Sequence, residues 1–372
     1  MRNLKVVTFN ETYNQPFDRE DIFNVIANHV RDSYSMDLLY FHPLEPIGNP
    51  VDIPLGKEYE EYYKKILYDF ESFLVERDII VYFLFGGSKL FDSWGNGGDY
   101  VIKNVKILTW NTFDLHYSAQ FLVESYKKPI EEININTNFE KLFFSLNRHP
   151  RTQRALIMDT FCKNQLFDFG LVSWNQLSSE WHESYVFDCW EEKRMMLDMS
   201  EKIDYIEAVD QRVEFNTDFL INNRCLFNVV GETMVGNHEI FISEKTYKNF
   251  LIGQPFISVG SLYHNQQLKN LGFKLYDEIF DYSYDSNRDT EERIVDMVKN
   301  LNQYKHTDLS KLYNQIKEIT IFNKNKSIEI FDNDPHIPIE LITLYKNHSN
   351  VFDGNKFVKM ECDLQDIFRN KI

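Results

Sequence analysis

Apolar residues along the chain fall into short runs that switch between a strand period and a helix period. LKVVTF at 4–9 and MDLLYF at 36–41 have the length and β-branched content of strands. Between them Ile22, Val25, Ile26 and Val30 recur at helical spacing over 19–33. Tyr62, Ile66, Phe70 and Phe73 do the same over 58–76. DIIVYFLF at 78–85 is continuously apolar, as in a strand buried on both faces, and runs into a Gly86-Gly87-Ser88 turn. NVKILTW at 104–110 predicts a further strand, and the segment after it turns helical. Strand alternating with helix implies parallel sheets.

The pattern pauses at 129–139, PIEEININTNF, and then resumes. Strands are predicted at 141–147, 170–174, 224–233, PFISVG and GFKLY (272–276), with helices at 151–165, 244–252 and over SLYHNQQLKN. Ser243 stands at the N-cap of the 244–252 helix, and Gly253 with Pro255 ends it. Helices are expected at about 289–304, 308–322 and 338–349. Residues 175–223 are less regular. From Glu180 to Glu214 eleven Asp or Glu stand against four Lys or Arg, which reads as an insertion with a solvated face. The expected fold is α/β, with two Rossmann-like domains facing a cleft. The expected domains are 1–138 and 139–345, with a tail at 346–372 that packs back on the first.

Length agrees, since 372 residues suit two domains of ordinary size. The net charge of −17 argues against non-specific binding to phosphate backbones. Cys162, Cys189, Cys225 and Cys362 form no C-x-x-C pair, so free buried thiols are expected, with neither a zinc site nor a disulfide framework. No apolar run reaches the roughly 20 residues of a membrane span. A soluble, cytoplasmic protein is expected.

Glu244 and Lys245 sit side by side in a predicted first helical turn. An anion is favoured at that end by the helix dipole, and Lys245 adds a mobile cation. Glu244 accepts hydrogen bonds only, which suits a ribose diol. The pair fits a nucleoside diphosphate, although Glu in a first turn also stabilises any helix. Arg148, Arg151 and Arg154 crowd a helix start just after a strand, where the dipole disfavours cations. Guanidinium groups match diphosphate oxygens in bidentate fashion, and an ion-pair network with the acidic insertion is the competing explanation. In GFKLYDEIFDYSYDS, Tyr282 and Tyr284 could stack on a base or sugar, and Asp281 and Asp285 could accept sugar hydroxyls; a solvated loop is the alternative. Among the predicted strand-end loops of the first half, Glu11, Asp92, Asp114 or His116 could deprotonate an acceptor hydroxyl. No P-loop, dinucleotide-binding, zinc-protease or nucleophile-elbow motif occurs, and no D-x-D stands where metal-dependent sugar transferases carry one.

Taken together, Ser243-Glu244-Lys245 opening a helix, Gly253, the strand PFISVG, and FFSLN followed by Arg154 resemble the fucosyltransferase-like branch of GT-B glycosyltransferases. GFKLYDEIFDYSYD resembles the segment that follows in related phage and bacterial proteins. The resemblance spans residues 141–305. It implies that Arg154 and Lys245 bind the donor pyrophosphate and that Glu244 contacts the ribose. It also implies an inverting transfer with no metal or other cofactor, in which a first-domain carboxylate (Glu11, Asp92 or Asp114) is the base. Arg148, Arg151, Ser243, Tyr284 and Asp285 complete the expected donor site. The expected partners are a nucleotide-sugar donor and a glycan acceptor, or alternatively hydroxymethylated DNA. A non-catalytic nucleotide- or sugar-binding module on a degenerate fold of the same type is the rival.

Overall fold

In the computed structural model the described residues are 2–8, 26–42, 68–85, 103–135, 137–147, 152–174, 224–233, 235–236 and 240–352. The chain separates into two compact units. One comprises Met1–Tyr117 with Asp332–Ile372, the other Ser118–Phe331. These divisions fall at other places than the 138/139 and 345/346 boundaries expected from the sequence.

The first unit carries β1 (Asn3–Thr8), β2 (Met36–His42), β3 (Ile79–Phe85) and β4 (Val105–Thr109) in the spatial order β1-β2-β3-β4. All three pairings are parallel. Inward residues alternate along the strands. Leu38, Tyr40, Val81 and Phe83 pack with Ile26, Val30, Phe70 and Leu74 from the helical residues that cover this face. The Tyr40 and Phe83 rings meet edge to face at 5.6 Å. After β4 the chain turns into α1 (Phe113–Tyr126). In the turn, Trp110 Nε1 and Thr112 Oγ1 donate to Asp334 Oδ2 at 2.8 and 2.5 Å, and His116 Nε2 pairs with the same oxygen at 2.8 Å. Asp334 Oδ1 accepts the His336 N–H. Burial alone would raise the Asp334 pKa. Its bonds from His116, Thr112 and Trp110 outweigh that and hold it at about 2.

The second unit carries β5 (Lys141–Asn147), β6 (Gly170–Trp174), β7 (Cys225–Gly231) and β8 (Phe256–Val259) in the order β6-β5-β7-β8. These pairings are parallel too. Its helices are α2 (Thr152–Lys163), α3 (Glu244–Ile252), α4 (His264–Asn270), α5 (Thr290–Lys299) and α6 (Leu309–Asp332), whose last residue belongs to the first unit. α7 (Ile339–Phe352) follows and lies against β1. Gly170 lies under the Phe143 ring so closely that a Cβ would stand 2.4 Å from it. Phe250 of α3 stacks on Phe273 at 3.9 Å.

The sequence-based expectations need three corrections here. GFKLY forms no strand. The Lys274 N–H donates to Asn323 Oδ1 and the Lys274 carbonyl accepts from Asn323 Nδ2, both at 2.8 Å, so a side chain of α6 takes the place of a neighbouring strand. The helix expected to end near 322 continues to Asp332, because nothing in Phe322–Asp332 breaks it. Cys225 is a buried free thiol, but Cys162 is disulfide-bonded. A disulfide needs only two Cα atoms about 4.4–6.8 Å apart, a proximity set by the fold and invisible in sequence spacing.

Candidate functional site

Strand order in the second sheet reverses at β5, because β6 lies on one side of it and β7 on the other. In open parallel sheets the carboxyl ends flanking such a reversal form a ligand crevice. Here those ends are Asn147 of β5 and Gly231-Glu232-Thr233 after β7. α2 is clamped onto the second of them, because Gln153 Nε2 donates to the carbonyls of Glu232 and Thr233 at 3.1 and 3.0 Å. Gly231 allows the approach. A Cβ there would lie 2.8 Å from Ile157 Cδ1 and 3.7 Å from Arg154 Cγ.

The Glu232 side chain is fully buried and organises the start of α3. It accepts from Ser243 Oγ at 2.5 Å, Thr246 Oγ1 at 2.6 Å, the Ser243 N–H at 3.2 Å and the Thr233 N–H at 3.3 Å. Ser243 Oγ in turn accepts the Lys245 N–H at 3.2 Å as the helix N-cap. Gly253 ends α3 in the left-handed region, φ 73°. The first turn is therefore fixed from below by a carboxylate.

Glu244 and Lys245 project from that turn, both half-buried, and pair at 2.5 Å. Lys245 Nζ also reaches Thr233 Oγ1 at 3.3 Å. Burial would raise the Glu244 pKa, but the Lys245 ammonium, with the Arg154 guanidinium beyond it, lowers it. Arg154 is itself buried. Two cations and one carboxylate thus share the edge of β7, with the positive end of the α3 dipole behind them. Compared with known protein families, curated proteins and solved structures, the chain matches none. Its chemistry has to be argued from the site itself.

Arg154, Ser243, Glu244 and Lys245 are brought together. Tyr284 and Asp285 are engaged within the fold. The Tyr284 hydroxyl donates to the Ser258 carbonyl at 2.8 Å, and the Asp285 oxygens accept the N–H groups of Asn265 and Gln266 at 3.0 and 2.9 Å. Asp114 is buried in the first turn of α1, in the first unit. Glu11, Asp92, Arg148 and Arg151 lie outside the described residues. Among the described residues no group of three or more His, Cys, Asp or Glu is placed to hold a metal ion. In the same set, no helix is long and apolar enough to cross a membrane.

Sequence reasoning missed Glu232, Gln153 and His264. The His264 ring is fully buried against Gly260, where a Cβ would come within 2.6 Å of it. Neither ring nitrogen has a hydrogen-bond partner among the described residues. Burial holds its pKa below the usual range, with Arg293 adding to the effect and Glu232 and Asp285 opposing it. The sequence signal for Glu232 is a polar residue ending an otherwise apolar strand, which is too common to single out.

Proposed function

We propose that the protein is a glycosyltransferase that binds a nucleoside-diphosphate sugar at the carboxyl edge of its second sheet and transfers the sugar to a hydroxyl. The observation that carries this reading is the gathering of Arg154, Lys245 and the positive end of α3 beside the strand-order reversal, with the Glu244 carboxylate next to them. Cations and a helix N-terminus suit a diphosphate, and an acceptor-only carboxylate suits the adjoining ribose diol. In the reaction, the acceptor oxygen bonds to the anomeric carbon as the carbon–oxygen bond to the diphosphate breaks. The acceptor proton passes to a carboxylate, for which Glu11, Asp92 and Asp114 are the candidates. Charge that develops on the leaving diphosphate is stabilised by Arg154, Lys245 and the α3 dipole. The two-domain GT-B arrangement belongs to this proposal and is supported by a four-stranded parallel sheet in each unit. A glycan is the favoured acceptor over a hydroxylated DNA base, because the chain carries a net charge of −17.

The test is a thermal-shift panel of nucleoside diphosphates and nucleotide sugars, with and without EDTA, followed by titration of the best ligand. One nucleotide should raise the melting temperature by mass action. Arg154→Ala and Lys245→Ala should each weaken its binding by about 1.5–3 kcal/mol, the scale of a charge-assisted hydrogen bond. Unchanged affinity in both folded variants refutes the diphosphate assignment. Binding without turnover of any donor, whatever acceptor is supplied, replaces the enzyme by a binding module.

A further inference from the structure

The loop after α4 and the outer side of that helix line an open cleft of about 360 Å³, within the range of small-ligand pockets. Tyr263, Gln266 and Lys269 line it from the helix side, and Asp277, Asp281 and Tyr282 from the loop. None of Arg154, Glu244 and Lys245 contributes to its wall. The loop is firmly built. Asn300 exchanges hydrogen bonds with the Asp281 backbone at 2.8 and 3.1 Å, and the Tyr284 and Asp285 side chains anchor it from behind.

Tyr263 is the unusual residue. Its backbone is left-handed, at φ 63° and ψ 23°, a conformation that disfavours a bulky side chain. The residue is 50% exposed, so packing gives little compensation. A Gly or Asn would serve the turn better, and a conflict between local rule and sequence is where function is expected. The charges around it are already matched within the wall. Asp277 pairs with Lys269 at 3.1 Å, Asp281 accepts from the Ser283 N–H and Oγ at 2.8 and 2.9 Å, and Asp285 caps α4. Three carboxylates against one ammonium make the cleft unfavourable for a phosphate, and their existing partners leave no vacant cation position. Spare lone pairs on the carboxylates, donors on Gln266 and Lys269, and an exposed aromatic face remain. Hydroxyl groups both donate and accept, and the C–H face of a pyranose packs on an aromatic ring.

We propose that this cleft binds a neutral saccharide, at a site separate from the diphosphate-binding residues and independent of the transferase reading. The experiment is saturation-transfer NMR on the full chain, with glucose, galactose, mannose, N-acetylglucosamine and maltotriose as probes. At least one probe should receive saturation, and nucleoside diphosphates should not displace it. Tyr263→Asn, which suits the left-handed backbone, should raise its Kd at least tenfold, and Gln266→Ala several-fold. Tyr263→Asn should keep or raise the parent melting temperature, Gln266→Ala should keep it, and Lys245→Ala should leave saccharide binding unchanged. No transfer to any probe overturns the proposal. So does transfer that survives Tyr263→Asn or is displaced by a nucleoside diphosphate, since the saccharide then sits elsewhere. Loss of nucleotide binding in Lys245→Ala with saccharide binding intact bears on the transferase alone, so the two ideas fail separately.

Discussion

Glu232 bears on stability and on ligand binding at once. Its buried carboxylate takes hydrogen bonds from Ser243, Thr246 and Thr233, and Ser243 passes the constraint on to the Lys245 amide. In Glu232→Gln the size is kept, but an NH₂ group replaces one acceptor and faces a donor. A mismatched buried donor costs about 1–3 kcal/mol. We expect a lower urea midpoint together with weaker nucleotide binding, since the first turn of α3 loses its support. An unchanged midpoint means that Glu232 is replaceable and that the turn is held by Ser243 alone. Ser243 and Gly253 were legible in the sequence because cap chemistry is local. Glu232 was not, because its partners lie 11 and 14 residues downstream and only the fold brings them near. Tyr284 and Asp285 have residue types that suit ligands, and sequence cannot show which way such side chains point.

Among the elements, α6 departs most from its sequence pattern. The expected end near 322 follows the loss of apolar periodicity, yet the polar residues beyond it tie the second unit together. Asn323 replaces a strand for Lys274, and Lys324 Nζ donates to the carbonyls of Glu131 and Ile133 at 3.1 and 2.5 Å and to Asn134 Oδ1 at 2.8 Å. Buried polar side chains with backbone partners look, in sequence, the same as a solvated face. Burial lowers the Lys324 pKa from 10.5 to about 8, against the pull of Glu131. Below pH 8 both folded and unfolded states hold the proton. Between pH 8 and 10.5 the unfolded state holds it and the folded state releases it, so this group's contribution to stability rises with pH. Urea unfolding should show a gain of roughly 1–2 kcal/mol between pH 8 and 9.5 that Lys324→Met abolishes. The same slope in the variant would place its source elsewhere.

Across the whole molecule the alternation of strand and helix made the α/β class and both parallel sheets readable. The places where the chain divides, at 117/118 and 331/332, rest on contacts that show only in three dimensions; Asp334 is bound by residues 218–224 positions earlier. The two units also differ in their response to acid. His264, in the second, is held neutral by burial, so its folded pKa lies below the 6.5 of the unfolded chain. Its contribution is present above pH 6.5 and is lost as pH falls below it, because only the unfolded state then takes up the proton. Asp334, in the first, has a folded pKa of about 2 against 3.8 unfolded, so its contribution survives to pH 3.8 and disappears between there and pH 2. A third effect runs the other way. With a net charge of −17 at pH 7, self-repulsion weakens as carboxylates protonate, which stabilises the fold on mild acidification. The parent protein alone therefore cannot separate these effects, but differences between parent and variant can, since the net-charge background nearly cancels. Parent minus His264→Gln should fall as the pH drops below 6.5 and be flat above pH 7.5. Parent minus Asp334→Asn should fall below pH 4, where the contribution of the Asp334 carboxylate disappears. Urea midpoints at each pH measure both curves. If the His264→Gln difference is flat throughout, the folded imidazole takes up its proton as readily as the unfolded one, and burial of the ring does not hold it neutral.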